Sequence, residues 1–275
     1  MNISDQRLDD FLQTIGLDEP PMVALFCDDE PTDGFSPKPQ LLPSREMEAQ
    51  GQADLGQVFA NFSCAMGHIW RARKKRLPAW FSAERFGCLG AAFWLGFQKP
   101  QLESIIHYVS TGAQGMESEH YCASPDELRR IFNYVDPRPV PSKYLVFKPF
   151  ELLSEADKPV LVCFFARPEA MAGLHQLATF VSNDPEVVAS PWSAGCGSLV
   201  AWPLHYLAKG QERAVLGGWD PSARKFYKTD ELSFTVSPAM FEGMVELYEQ
   251  SFLKKHAWRG SLQKIARSKK AWNEA

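Results

Sequence analysis

Two short runs in the chain carry no polar side chain, and they limit the fold more than any other feature. Met22-Val23-Ala24-Leu25-Phe26-Cys27 stops at Asp28-Asp29, and Pro159-Val160-Leu161-Val162-Cys163-Phe164-Phe165-Ala166 stops at Arg167. Both are far shorter than the ~20 apolar residues that cross a bilayer. A strand that is apolar at successive positions has to be covered on both faces. Each run therefore predicts a buried strand with helical layers against it, and Cys27 and Cys163 inside the runs are expected to be core residues.

The segments between fit that frame. Leu8, Phe11, Leu12 and Ile15 recur at helical spacing before Gly16, which predicts an amphipathic helix. Downstream, Ala170 to Val181 and Pro238 to Phe252 read as helices, as do Leu102 to Val109 and a segment from Pro125. Lys143 to Phe150, Arg213 to Trp219 and Leu232 to Val236 read as strands. The expected fold is α/β, with α+β as the alternative, in one globular domain over 1–275. It divides into pseudo-repeated halves at 17–135 and 143–252, each running strand, helix, short strand, Gly-Cys, helix. Pro31, Pro37, Pro39 and Pro43 mark 30–50 as a long loop or insertion, expected to cover a site. The basic tail at 256–275 has few apolar residues and is expected to be loosely held.

The repeat centres on two elements. Phe86-Gly87-Cys88-Leu89-Gly90-Ala91 and Ala194-Gly195-Cys196-Gly197-Ser198, aligned on their cysteines, also match Trp94 to Trp202 and Ser82 to Ser190. Each cysteine falls where a helix is expected to start, a setting that favours a thiolate. The glycines allow a bulky group close to the backbone. A third cysteine, Cys64, belongs to a helix whose apolar stripe is Phe62, Ala65, Met66, Ile69 and Trp70. At 100° per residue it lies opposite that stripe, on a face with His68 and Arg71. The run Arg71 to Arg76 suits a helix C-terminus.

Three thiolates from separate segments fit an iron–sulfur cluster with one iron left open, or a zinc with His68 as fourth ligand. Phe86, Phe93 and Trp192 are candidate walls for such a site. Two metal-free readings stand beside these. One is a binding module for an anionic small molecule, using Arg224 and the basic run. The other is a thiol redox protein in which Cys88 and Cys196 form a reversible disulfide. The bland reading of the glycines is that they simply permit tight helix packing.

Composition and missing motifs narrow the rest. A net charge of −4 and a pI near 5.9 disfavour nucleic acid as a partner. The polar, acidic start from Asn2 to Asp10 is unlike a signal peptide, and no run is long enough to span a membrane, so the expected location is cytoplasmic. Gly-x-Gly-x-x-Gly, P-loop, Gly-x-Ser-x-Gly and His-Glu-x-x-His patterns are absent. The expected partner is a small molecule or a redox partner protein, and no catalytic residue is assigned.

The order of Cys64, Gly87-Cys88-Leu89-Gly90-Ala91, Gly195-Cys196-Gly197 and Gly217-Gly218-Trp219-Asp220-Pro221-Ser222-Ala223-Arg224, before Asp230-Glu231-Leu232, resembles a prokaryotic family known as domain of unknown function 169. The resemblance runs from Val23 to Val236. It implies that Cys64, Cys88 and Cys196 hold the family's cysteine positions and Arg224 its late arginine, with Gly87 and Gly195 beside the cysteines. The family has no established activity, so no reaction is implied.

Overall fold

The two apolar runs form strands β1 (Met22–Cys27) and β4 (Pro159–Ala166), paired antiparallel. They are joined by β2 (Ala79–Ser82), β3 (Tyr144–Pro149), β5 (Val188–Ala189), β6 (Ala214–Gly217) and β7 (Leu232–Val236). The result is a seven-stranded sheet of order β2-β3-β1-β4-β7-β6-β5. Neighbours are antiparallel except β5 with β6. This computed structural model describes every residue except 1, 2, 4, 41–43, 53, 55, 57–59, 99–102, 114, 116 and 273–275. Leu102, Pro43 and Asn2 of the sequence reading therefore lie outside the described residues.

The fold is α/β, with helices on both faces of one mixed sheet. On one face lie α3 (Ala65–Lys75), α4 (Leu89–Trp94), α6 (Pro125–Val135), α8 (Gly195–Leu199) and α9 (Ala201–Ala208). On the other lie α1 (Asp5–Ile15), α7 (Pro168–Ser182), α10 (Pro238–Leu247) and the start of α11 (His256–Ala271). Two further helices, α2 (Arg45–Ala49) and α5 (Glu103–Val109), complete the described set. In β4, Leu161, Cys163 and Phe165 pack on the first layer while Val162, Phe164 and Ala166 pack on the second. Full burial of a side chain such as Phe164 contributes about 1.5–3 kcal/mol, so both faces of the run are used. Among the described residues no helix is long and apolar enough to cross a membrane.

Several expectations change. The long helix of the first half, α3, packs on one face of the sheet, whereas its counterpart α7 packs on the other. The second half also inserts β6 between its edge strand and β7. The halves thus share an order of elements without sharing an architecture. Cys163 is fully buried, but Cys27 ends its strand half-buried with its thiol donating to the Asp29 carbonyl at 3.2 Å. The tail is helical over His256–Ala271. Trp258 anchors it, packing edge-to-face on Phe252 with its indole N–H on the Thr14 carbonyl at 3.3 Å. Gly173 leaves the room that ring needs, because a Cβ there would stand 3.3 Å from it.

One buried ion group ties the first layer to the loop before β7. Arg73 of α3 forms a two-bond fork with Glu231 at 2.7 and 2.9 Å and also pairs with Glu19. Its guanidinium lies 3.8 Å over the Phe165 ring. Only 6% of Arg73 and 2% of Glu231 are exposed. Removing one member of a buried pair strands its partner's charge. Glu231→Ala should therefore lower unfolding free energy by about 3 kcal/mol, read from the midpoint of urea denaturation. An unchanged midpoint would show that Glu19 alone satisfies Arg73.

Candidate functional site

Cys64, Cys88 and Cys196 all stand at helix starts. Cys64 is the N-cap of α3, and Cys88 is the N-cap of α4 with its sulfur accepting the Ala91 N–H at 3.4 Å. Cys196 lies in the first turn of α8. The helix of Cys64 begins at Ala65, later than the apolar stripe suggested, so Cys64 sits ahead of the helix and not on its far face.

Gly87 joins the first two segments. Its carbonyl accepts the Ser63 N–H at 2.9 Å, which fixes the residue before Cys64 against the residue before Cys88. The buried Gln40 amide grips the same glycine twice, donating to its carbonyl and accepting its N–H, both at 2.8 Å. Gly87 has φ +94°, and a Cβ there would stand 2.6 Å from the Ser63 carbonyl oxygen. Only glycine meets both demands. The described part of 30–50 therefore supports the site from behind. Phe35 is stitched beside the edge strand β2 by bonds of 2.9 Å to Pro78 and Trp80. None of the segment's described residues is among those lining the cavity described below.

The third cysteine is seated by close packing. A Cβ on Gly195 would stand 2.9 Å from Ala223 Cβ and 3.0 Å from Met66, and one on Gly197 would stand 2.7 Å from the Trp94 ring. For these two glycines the packing reading is the correct one. Asp220 then holds the turn: one oxygen accepts the Gly195 N–H and the other the Ser222 N–H, each at 2.9 Å.

These segments enclose a cavity of about 930 Å³ lined by all three cysteines. Phe62, Trp94, Trp192, Trp219 and Tyr108 form much of its wall, while Glu119, Asp220 and Lys225 supply its charged groups. Of the expected walls Trp192 is present, whereas Phe86 and Phe93 pack into the core. Glu119 Oε1 accepts the Ser222 hydroxyl at 2.8 Å, and Ser222 also contacts the Tyr121 hydroxyl at 3.0 Å.

Burial governs the thiols. It raises Cys64 above the usual thiol range, although the nearby Met66 and Gly67 N–H groups and Lys225 offset part of the effect. It pushes Cys88 up to about 12, with Cys64 adding to the shift and the Ala91 N–H opposing it. Cys196 is raised well above its usual value by burial and then by Cys88 and Cys64. The helix starts therefore do not produce the low thiol pKa expected from them. All six cysteines are free thiols.

Two residues expected in the site lie elsewhere. His68 is buried with its Nε2 2.9 Å from the Ser63 hydroxyl and its ring edge-to-face on Phe81. Burial, then Arg71, lowers its pKa to about 4. It does not line the cavity, because the later helix start turns it toward the sheet. Arg224 donates to the carbonyls of Gly218, Lys228, Thr229 and Glu231 at 2.6–3.1 Å, which pins the loop after β6 and keeps its charge out of the cavity. Its neighbour Lys225 lines the cavity instead. Trp219, Asp220 and Ser222 were visible only as part of the Gly217–Arg224 motif, and Glu119 carried no signal in the sequence. Among the described residues no three His, Cys, Asp or Glu side chains form a group able to hold one metal ion. His68, considered as the fourth ligand of a zinc, does not line the cavity with the three cysteines.

A family model, DUF169, described as uncharacterised ArCR, matches residues 10–247. The chain belongs to that family. The comparison with curated proteins finds no match, and neither does that with solved structures.

With Cys88 near 12, only about one sulfur in ten thousand is thiolate at pH 8. In metal-free protein, iodoacetamide should label Cys88 far more slowly in the native state than after denaturation, as read by peptide mass spectrometry. Equal rates would contradict the burial argument.

Proposed function

We propose that this DUF169 member holds an iron–sulfur cluster on Cys64, Cys88 and Cys196 and presents it to a small molecule in the same cavity. The observation that carries this reading is the convergence of three cysteines, from three distant segments, on one aromatic-walled cavity. The donor set suits the group: three sulfurs, one already accepting a backbone N–H, leave one iron of a four-iron cluster without a protein ligand. Three sulfurs alone leave a single zinc short of its four ligands, and His68 does not line the cavity. When bound, such a cluster supplies electron transfer or a Lewis-acid iron.

The chain's own residues do the rest. Cys64, Cys88 and Cys196 release their protons on loading, so loading is favoured as pH rises. Trp94 and Trp192, 6.0 Å apart edge-to-face, keep water from the sulfurs. Gly87 and Asp220 hold the cysteine-bearing turns in place. The cavity volume lies in the upper part of the ~300–1,000 Å³ range of small-molecule sites, which leaves room for a ligand beside the cluster. That same volume favours, as a second reading, a metal-free binding module.

Iron and sulfide analysis of anaerobically purified, reconstituted protein separates the two. The cluster reading expects iron and sulfide in equal amounts, up to about four of each per chain, with visible absorbance. Cys64→Ala, Cys88→Ala and Cys196→Ala should each lose most of it, while Cys27→Ala and Cys163→Ala keep it. Equal iron in wild type and a triple variant that still folds, judged by circular dichroism, would leave the metal-free module.

A further inference from the structure

The chemistry of the cavity also selects among ligands. Two carboxylates, Glu119 and Asp220, face one cation, Lys225, among the described lining residues, so the fixed charge is one negative in excess. Asp220 spends both oxygens on backbone N–H groups. Glu119 keeps Oε2 without a hydrogen-bond partner among the described residues. Lys225 is exposed, with its ammonium 5.3 Å over the outer Phe226 ring. Arg224, which would have drawn an anion, is turned into four carbonyls. Around this lie three indole rings: Trp94, Trp192 and Trp219, the last 58% exposed and held by its N–H on Ser190 Oγ at 2.9 Å. Aromatic faces carry negative potential and attract ammonium groups.

We propose that the cavity takes a small organic cation, a methylated or protonated amine on an apolar body, with its nitrogen against the Glu119 carboxylate and among the tryptophan faces. This replaces an anionic ligand, which would meet an excess of negative side chains with Lys225 as the one cationic side chain among the described lining residues. The inference rests on reading this cavity as a ligand site and not on the cluster. Thiolates or a thiolate-bound cluster would strengthen the same preference, because their charge has the same sign.

The pH dependence follows from what faces Glu119. Burial raises its carboxyl pKa, the Ser222 hydrogen bond opposes this, and the charge of Asp220 adds to it. Tyr108, Tyr121 and the Cys88 thiol are also close. A bound cation favours the ionised carboxylate, so affinity is full above the pKa of the free carboxyl and falls as pH drops through it.

Isothermal titration with benzyltrimethylammonium and, separately, benzoate tests this on both metal-free and anaerobically reconstituted protein. The cation should bind in both preparations, at least about tenfold more tightly than benzoate. Glu119→Gln, nearly isosteric, should weaken cation binding about tenfold and remove its acid pH dependence. Trp219→Ala, at an exposed position, should weaken it severalfold without altering the unfolding midpoint. Tighter binding of benzoate, abolished by Lys225→Gln, overturns the proposal, as does millimolar cation binding to neither preparation. Iron content, measured on the same samples, reports the cluster independently, so loss of one reading is not mistaken for loss of the other.

Discussion

Gly87 carries a demand that few positions in the chain share. It must turn with positive φ, lie flat against the Ser63 carbonyl and offer both backbone polar groups to one side chain, Gln40. A residue with a Cβ would pay a backbone cost of about 1–3 kcal/mol and collide with Ser63. Because the Gly87 carbonyl also accepts the Ser63 N–H, this single residue sets the spacing between the turn that ends in Cys64 and the turn that ends in Cys88. The sheet is the foundation beneath it. β2 enters the turn from one edge, and the continuous core under α3 and α4 keeps both helix starts aimed at the same space.

Two opposing electrostatic effects meet at the sulfurs. A helix start favours a thiolate by up to about 1–2 kcal/mol, whereas burial disfavours any charge that lacks a partner. At Cys88 and Cys196 burial prevails, Cys64 adds to the shift at Cys88, and both add to that at Cys196. An empty site is therefore three neutral, slow thiols rather than an activated nucleophile. On the cluster reading proposed above, a multivalent cationic centre would offset the deprotonation of three neighbouring sulfurs.

What the sequence made legible was mostly periodicity and composition. The runs at Met22 and Pro159 were strands because no polar residue interrupted them, and Cys64, Cys88 and Cys196 were brought together as their shared setting suggested. Effects that depend on long-range contacts stayed hidden. The start of α3 is set by Ser63 meeting Gly87, twenty-odd residues away, so the helical-wheel placement of His68 beside Cys64 failed. Arg224 looked like an anion binder until its four carbonyl partners came from the folded loop. Gln40 lay within a proline-rich stretch that read as a cover, although its function is to clamp a backbone. Trp258 docks the helix of a sparse basic tail, with Leu262 packed beside it and Lys269 paired to Glu169.

The central claim is that the three cysteines form one centre. Anomalous diffraction at the iron edge, from crystals grown anaerobically with reconstituted protein, tests it most directly. The account predicts one peak inside the aromatic-walled cavity, within bonding distance of the sulfurs of Cys64, Cys88 and Cys196 and away from Cys27, Cys122 and Cys163. Iron bound elsewhere, or a cavity without iron in crystals whose protein was loaded with it, would contradict the account.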